Sequence, residues 1–176
     1  MAKLAYSTSP PAPARGAGWQ GALSVFARVT HAVCRIAIGL LFLEHGLQKI
    51  FGLLGGVRGQ AGAAAPLGSL MGVTGVLELV GGSLLVVGFV TRPVALVLAG
   101  EMLTAFFMVH FPRGGWPLQN GGELPLLYAA IFLFFAGNGA GPASVDAALR
   151  RNTVAPRAGV PTSLRPPRAE PRRSGW

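Results

Sequence analysis

Several ionisable and amide side chains lie at the ends of apolar segments, where they could form one polar site. Carboxylate, imidazole, ammonium and amide groups at such a place can bind the polar head of a small molecule or transfer protons, and carboxylates and imidazoles also ligate metals. The first apolar segment ends with an acid and a histidine, the third ends with a histidine, and the fourth begins with an amide and an acid. The candidate site residues are Glu44, His45, Lys49, His110, Asn120 and Glu123.

Three interpretations of this set stay open. The first is a ligand or redox site for a small molecule, for which a quinone head group is the candidate cofactor. The second is a metal site, which is disfavoured because no Glu-x-x-His pair of the di-iron bundle type occurs in the chain, so we predict no metal. The third is a hydrogen-bonded polar cap that seals a helix bundle at the water boundary.

The elements that must position these residues are apolar segments of bilayer-spanning length. Charged residues make up only 12% of the chain, about half of the ~25% typical of soluble domains. The only charge in residues 68–91 is Glu78, the only charge in 93–109 is Glu101, and 124–137 carry none. A weaker first segment covers 25–43. We therefore predict an all-α fold, a four-helix transmembrane bundle over residues 25–146, with disordered tails at 1–24 and at 147–176, the latter basic and rich in proline and arginine.

Charges buried in these segments predict an intramembrane network of three residues, Arg35, Glu78 and Glu101. A charged side chain at mid-membrane costs at least ~2.5–3.5 kcal/mol on insertion scales, so each should find a partner inside the bundle. Depths counted from the helix ends place Arg35 level with Glu101. We predict an ion pair between these two, with Glu78 able to share the guanidinium.

The distribution of basic residues predicts the topology. With both termini in the cytoplasm, eleven lysines and arginines lie inside and three lie outside, namely Lys49, Arg58 and Arg113. This bias predicts a multi-pass protein of the bacterial plasma membrane, with its N- and C-termini inside. The basic tail is explained by this topology and by anionic lipid, so nucleic acid is not an expected partner. The single cysteine, Cys34, excludes an internal disulfide.

Three stretches resemble the DoxX family of small bacterial membrane proteins. They are RIAIGLLFLEHGLQKIFG (35–52), LELVGGSLLVVGFVTRP (77–93) and the run from EMLTAFFMVHFPRGG to GPASVD (101–146). The resemblance covers residues 28–146, and the tails have no counterpart in it. The family motif positions are occupied by Arg35, His45, Lys49, Glu78, Arg92, Glu101, His110, Asn120 and Glu123.

The resemblance implies a four-helix membrane bundle and a link to redox chemistry. The family takes its name from a subunit of an archaeal thiosulfate:quinone oxidoreductase, and other members are connected with thiol and oxidative-stress systems. We accordingly expect a membrane component of a quinone-linked or sulfur-linked redox system, with the lipid bilayer and a redox protein as partners. A non-catalytic scaffold or assembly partner is the alternative. Whether the chain is an enzyme, and whether it forms homo-oligomers, stays open at this stage.

Overall fold

The computed structural model describes residues 17–153, which are all-helical and contain no β-strand, as predicted. Three helices, Gly18–Phe51, Leu70–Val87 and Thr91–Arg113, are long and apolar enough to cross a membrane, and Glu123–Asn138 is a shorter apolar helix. In chain order the helices are α1 (Ala17–Phe51), α2 (Leu70–Val87), α3 (Thr91–Ala105), α4 (Pro117–Asn120), α5 (Glu123–Asn138) and α6 (Val145–Thr153). A π-helical turn, Phe106–His110, and a 3-10 turn, Phe111–Arg113, continue α3.

The helical region is longer at both ends than the sequence predicts. Helix α1 begins at Ala17, inside the predicted N-terminal tail, and no proline follows Pro13 before the first apolar segment. Helix α6 covers the start of the predicted C-terminal tail, where Ala147, Ala148 and Leu149 favour helix and the Ser144 hydroxyl accepts a hydrogen bond from the Ala147 amide. The remaining tail residues, 1–16 and 154–176, lie outside the described residues.

Glycines allow α1 and α2 to pack closely along their length. A Cβ atom on Gly46 would lie 2.4 Å from the backbone nitrogen of Leu79, and one on Gly82 would lie 2.7 Å from the carbonyl oxygen of Gly39. Backbones this close are typical of small-residue contacts between membrane helices. Gly46 and Gly82 therefore allow the close contact between α1 and α2.

The other helices complete the bundle around an aromatic core. Helix α2 contacts α3, and α3 contacts α5. Between α1 and α5, the ring of Phe42 packs edge-on against Tyr128 and Phe132, with centroid distances of 4.9 and 4.5 Å. Outside this core, large apolar side chains such as Val80 and Leu127 are exposed over the bundle surface, as expected of helices surrounded by lipid.

The bundle has two different ends. We call the end formed by residues 52–69 and 111–122 the long-loop end, and the end formed by residues 88–90 and 139–144 the short-turn end. At the short-turn end, the carboxylate of Asp146 accepts hydrogen bonds from the backbone amides of Val90 and Thr91, at 2.8 and 3.0 Å. These amides are unpaired at the start of α3, so Asp146 caps that helix from a distant part of the chain.

Arg35 also belongs to the short-turn end, and the predicted Arg35–Glu101 ion pair is wrong. The buried guanidinium donates to the carbonyl oxygens of Ala140 at 3.0 Å and of Val86 and Ala143 at 2.7 Å each, and also to that of Leu85. These acceptors lie in the last turn of α2 and in the segment after α5. Because α1 extends past the other helices, a depth counted from the end of α1 places Arg35 too far into the bundle.

Candidate functional site

Polar side chains from four helices converge on a small cavity near the long-loop end. The cavity has a volume of about 190 Å³, and its wall also includes the apolar side chains of Phe42 and Leu124. We call it the histidine cavity. Its polar wall residues are His45, Lys49, Glu78, His110 and Tyr128. The two histidines, which the sequence places in helices far apart in the chain, therefore face one space.

An ion pair between α1 and α2 forms one wall of the histidine cavity. The Nζ atom of Lys49 lies 2.7 Å from Oε1 of Glu78 and 3.1 Å from the hydroxyl oxygen of Thr74. Lys49 is one of the predicted site residues and lines the cavity with His45, whereas the expectation that Glu78 shares the guanidinium of Arg35 is wrong. Lys49 lies one turn beyond His45 on the inward face of α1, where its flexible side chain reaches the glutamate of the adjacent helix.

The loop before α5 fixes the orientation of His110. Nδ1 of His110 lies 3.0 Å from the backbone carbonyl oxygen of Asn120. A carbonyl oxygen only accepts, so Nδ1 carries the hydrogen, and Nε2 of the neutral ring is the nitrogen that can accept a proton. The side chain of Asn120 holds the loop itself, because it donates to the Gly114 carbonyl and accepts from the Gly122 amide.

A π-helical turn presents His110 to the cavity. Residues Phe106–His110 form this turn at the end of α3, and such single turns occur frequently at functional sites. Its buried residue, Phe106, packs against Gly122, where a Cβ atom would approach the ring to 2.6 Å. The turn therefore depends on a glycine in the loop that also orients His110.

Two predicted site residues, Glu44 and Glu123, are exposed and do not line the histidine cavity. Glu44 precedes His45, and successive side chains on an α-helix point about 100° apart, so only His45 faces inward. Glu123 begins α5, where a negative charge stabilises the helix N-terminus. Glu123 is not the acceptor for His110, because that acceptor is the Asn120 carbonyl.

The remaining member of the predicted network, Glu101, is buried without a partner. It is 8% exposed, and neither carboxylate oxygen has a hydrogen-bond partner among the described residues. Glu101 lines a second and larger space, of about 480 Å³, between α2 and α3, which we call the α2–α3 groove. Lys49 lines both this groove and the histidine cavity.

Sequence reasoning missed Tyr128, which lines the cavity, and Thr74, whose hydroxyl oxygen lies 3.1 Å from Nζ of Lys49. Tyr128 lies in an apolar segment and is 7% exposed, with its ring 6.4 Å from that of His45. Its position five residues after Glu123 places it about one and a half turns into α5, on the opposite side of the helix from that exposed acid. Within residues 17–153, no group of three or more His, Cys, Asp or Glu side chains is placed to hold a metal ion.

The fold and the buried polar residues define a small integral membrane protein with a polar cavity inside a helix bundle. The chain belongs to the DoxX family, whose model matches residues 30–111. It is 38% identical over 118 residues to an uncharacterized protein of Haemophilus influenzae, covering 65% of this chain and 87% of that protein.

Two Escherichia coli proteins are also similar. Inner membrane protein YphA is 31% identical over 124 residues, which is 65% of this chain and 86% of YphA. Inner membrane protein YqjF is 32% identical over 121 residues, which is 68% of this chain and 91% of YqjF. No solved structure matches the chain.

Proposed function

We propose that this protein binds the head group of a quinone in the histidine cavity, as the membrane component of a redox system of the bacterial inner membrane. The names of the E. coli relatives support the inner membrane as its location. The observation that carries the proposal is the convergence of His45, His110, Tyr128 and the Lys49–Glu78 pair on one cavity.

The size and wall of the cavity support a small aromatic head group. Its volume of about 190 Å³ is below the ~300–1,000 Å³ of sites for drug-sized ligands, so it suits a single ring or a few water molecules. The rings of Phe42 and Tyr128 offer flat apolar surfaces that suit such a ring.

The polar residues of the cavity match the proton requirements of quinone chemistry. A quinone accepts two electrons and two protons to become a quinol. His45 and His110 are positioned to donate or accept these protons, and the ammonium of Lys49 stabilises negative charge on a ligand oxygen. The chain has one cysteine, so the electrons would come from a sulfur compound oxidised by a partner protein, such as two thiols that form a disulfide.

The topology we propose has both termini in the cytoplasm and the long-loop end facing outward. With Arg35 at the short-turn end, twelve of the fifteen lysines and arginines lie on the terminal side. Since Lys49 is inside the bundle, Arg58 and Arg113 are the two basic residues among the described ones that lie at the long-loop end. A phosphatase that is active only outside the cytoplasm, fused after residue 176, should be inactive, and an active fusion would contradict this topology.

A ligand-binding measurement tests the function. The purified full chain in lipid nanodiscs is titrated with a short-tailed ubiquinone analogue, and binding is followed by quenching of intrinsic fluorescence. His45→Ala and His110→Ala should each weaken binding at least about tenfold, since each removes one hydrogen bond to the head group, worth about 1.4 kcal/mol. Glu44→Gln is the matched control, because Glu44 is exposed next to His45. Equal binding by the wild type, His45→Ala, His110→Ala and Glu44→Gln would refute the proposal.

One feature favours the alternative role of a scaffold or assembly partner. Residues 18–29 of α1 are exposed throughout, and they include the large apolar side chains of Trp19, Leu23, Phe26 and Val29. An exposed apolar helix of this length offers a surface for another protein. If the chain retains a partner protein in mild detergent but binds no quinone, the scaffold role is favoured.

A further inference from the structure

The α2–α3 groove opens on the outer surface of the bundle. Its rim includes Val73, Val97 and Met108, which are 50%, 53% and 59% exposed on membrane-spanning helices. Side chains in these positions face hydrocarbon, so the groove is open to molecules dissolved in the bilayer. Three methionines, Met71, Met102 and Met108, line it, and their flexible side chains adapt to ligands of varied shape.

The unpartnered carboxyl group of Glu101 lies in this apolar groove. A buried carboxyl without a hydrogen-bond partner is costly, and neither oxygen of Glu101 has one among the described residues. The other polar residues of the groove wall bond elsewhere: Lys49 donates to Thr74 and Glu78, and the Thr104 hydroxyl donates to the Gly100 carbonyl. Glu101 therefore receives no hydrogen bond from the described residues of the groove wall, and a ligand can supply one.

The groove and the histidine cavity share part of their walls. Lys49, Met102 and Ala105 line both spaces, so these side chains form the partition between them. The side chains of Lys49 and Met102 are long and flexible, and a change of rotamer in either one would join the groove to the cavity.

We propose that the α2–α3 groove is the lateral entrance and first binding site for a bilayer-dissolved hydroquinone, whose hydroxyl group donates a hydrogen bond to Glu101. The hydrocarbon tail would leave between α2 and α3 into the lipid. A hydroxyl group fits better than a cationic head, because the ammonium of Lys49 lines the same groove and would repel a second cation. The choice of a hydroquinone as the ligand rests on the proposed function. The location of the site in the α2–α3 groove and the need of Glu101 for a hydrogen-bond donor do not rest on it.

A photoreactive probe tests this assignment. The full chain in lipid nanodiscs is irradiated with an alkyl hydroquinone that carries a diazirine in its tail, and with the dimethyl ether of the same probe, which has no donor. Labelled peptides are identified by mass spectrometry. The hydroquinone should label α2 around Met71 and the π-helical turn after α3 around Met108, and the ether should label them at least about tenfold less, as expected for the loss of one hydrogen bond.

Variants of Glu101 show whether its carboxylate is the acceptor. Glu101→Leu should reduce labelling of the groove at least about tenfold, and Glu101→Gln, whose amide oxygen still accepts a hydrogen bond, should fall between this variant and the wild type. The control is Glu44→Leu, which removes an exposed carboxylate outside both spaces and should label like the wild type. Monodisperse elution of each variant in size-exclusion chromatography confirms that it is folded, and Glu101→Gln decides the matter if Glu101→Leu does not fold.

The results separate this proposal from the proposed function. Labelling that is equal for the hydroquinone and its ether, or unaffected by both Glu101 variants, overturns the role of the groove. If labelling of the groove depends on Glu101 while His45→Ala and His110→Ala leave quinone binding unchanged, the groove site stands and the function assigned to the histidine cavity falls. If those histidine variants lose binding and the groove is not labelled, the function stands and the lateral entrance falls.

Discussion

Replacing Lys49 by methionine tests the ion pair in the wall of the histidine cavity. Methionine keeps most of the length and apolar volume of the lysine side chain and removes only the ammonium group. The Glu78 carboxylate, with a side chain 4% exposed, would lose the partner that lies 2.7 Å from its Oε1 atom, and its Oε2 atom already has none among the described residues. Breaking a buried ion pair from one side costs about 3–5 kcal/mol, so we expect a loss of that size for Lys49→Met.

Glu78→Gln, which removes the charge of the other member of the ion pair, and the double variant of Lys49→Met with Glu78→Gln complete a thermodynamic cycle. Glu78→Gln should cost less than Lys49→Met, because the lysine side chain is 22% exposed and retains the Thr74 hydroxyl. The double variant removes both charges, so no charge of this pair is left buried without its partner. Its loss of stability should therefore be smaller than the sum of the two single losses by about 1–3 kcal/mol.

The free energy of unfolding in mixed micelles, followed by circular dichroism, gives these differences. Ser83→Ala is the control, since this exposed hydroxyl on the same helix bonds only to the carbonyl of Leu79, and its effect should stay within about ±0.5 kcal/mol. If the single losses add in the double variant to within about 0.5 kcal/mol, the two residues are not coupled in the folded protein, and the cavity wall described above is incorrect.

Three further changes have predictable directions. Arg35→Met should lower the free energy of unfolding by at least about 3 kcal/mol, measured as above, because four carbonyl groups lose their donor and the hydrogen bonds to two of them, Leu85 and Ala140, are buried. Burial would raise the pKa of Asp146, but hydrogen bonds from the Thr91 and Val90 amides outweigh it and hold this pKa below its ordinary value. The ionised carboxylate of Asp146 therefore stabilises the protein above its unfolded-state pKa of about 3.9, and this contribution is lost as the pH falls through the lower folded-state pKa. A titration of the free energy of unfolding against pH should show this loss in the wild type and not in Asp146→Ala. Glu101→Leu should raise the thermal unfolding midpoint of the ligand-free protein, since it removes an unpartnered buried carboxyl, and a lower midpoint would indicate an unidentified partner.

The all-helical fold and the positions of the main apolar helices were predictable from the sequence, because segments surrounded by lipid must be apolar over a bilayer-spanning length. The positions of the helices relative to one another along the membrane normal were not predictable. Arg35 lies within an apolar segment, and its depth depends on where α1 begins relative to the other helices. Glu101 lies ten residues into α3, about 15 Å from the helix start, whereas Arg35 meets the last turn of α2. Only the packing of α1 against α2 determines that offset.

The candidate site was predictable in part for a similar reason. Histidines at the ends of two apolar segments on the same side of the membrane indicate one layer, and the structure brings His45 and His110 to one cavity. Whether a residue in that layer faces inward depends on helix rotation, which excludes Glu44 although it is adjacent to His45. Glu78 joins the cavity through the reach of Lys49, and a contact between long side chains of two helices leaves no pattern in a single sequence.

The central claim is that the histidine cavity holds a quinone head group, and native mass spectrometry of the protein released gently from its own membranes tests it most directly. We expect the wild-type chain to carry a mass equal to that of a membrane quinone, and His45→Ala and His110→Ala to have lost it while eluting as folded protein. A wild-type spectrum without bound quinone, or the same quinone occupancy in both histidine variants, would contradict the claim.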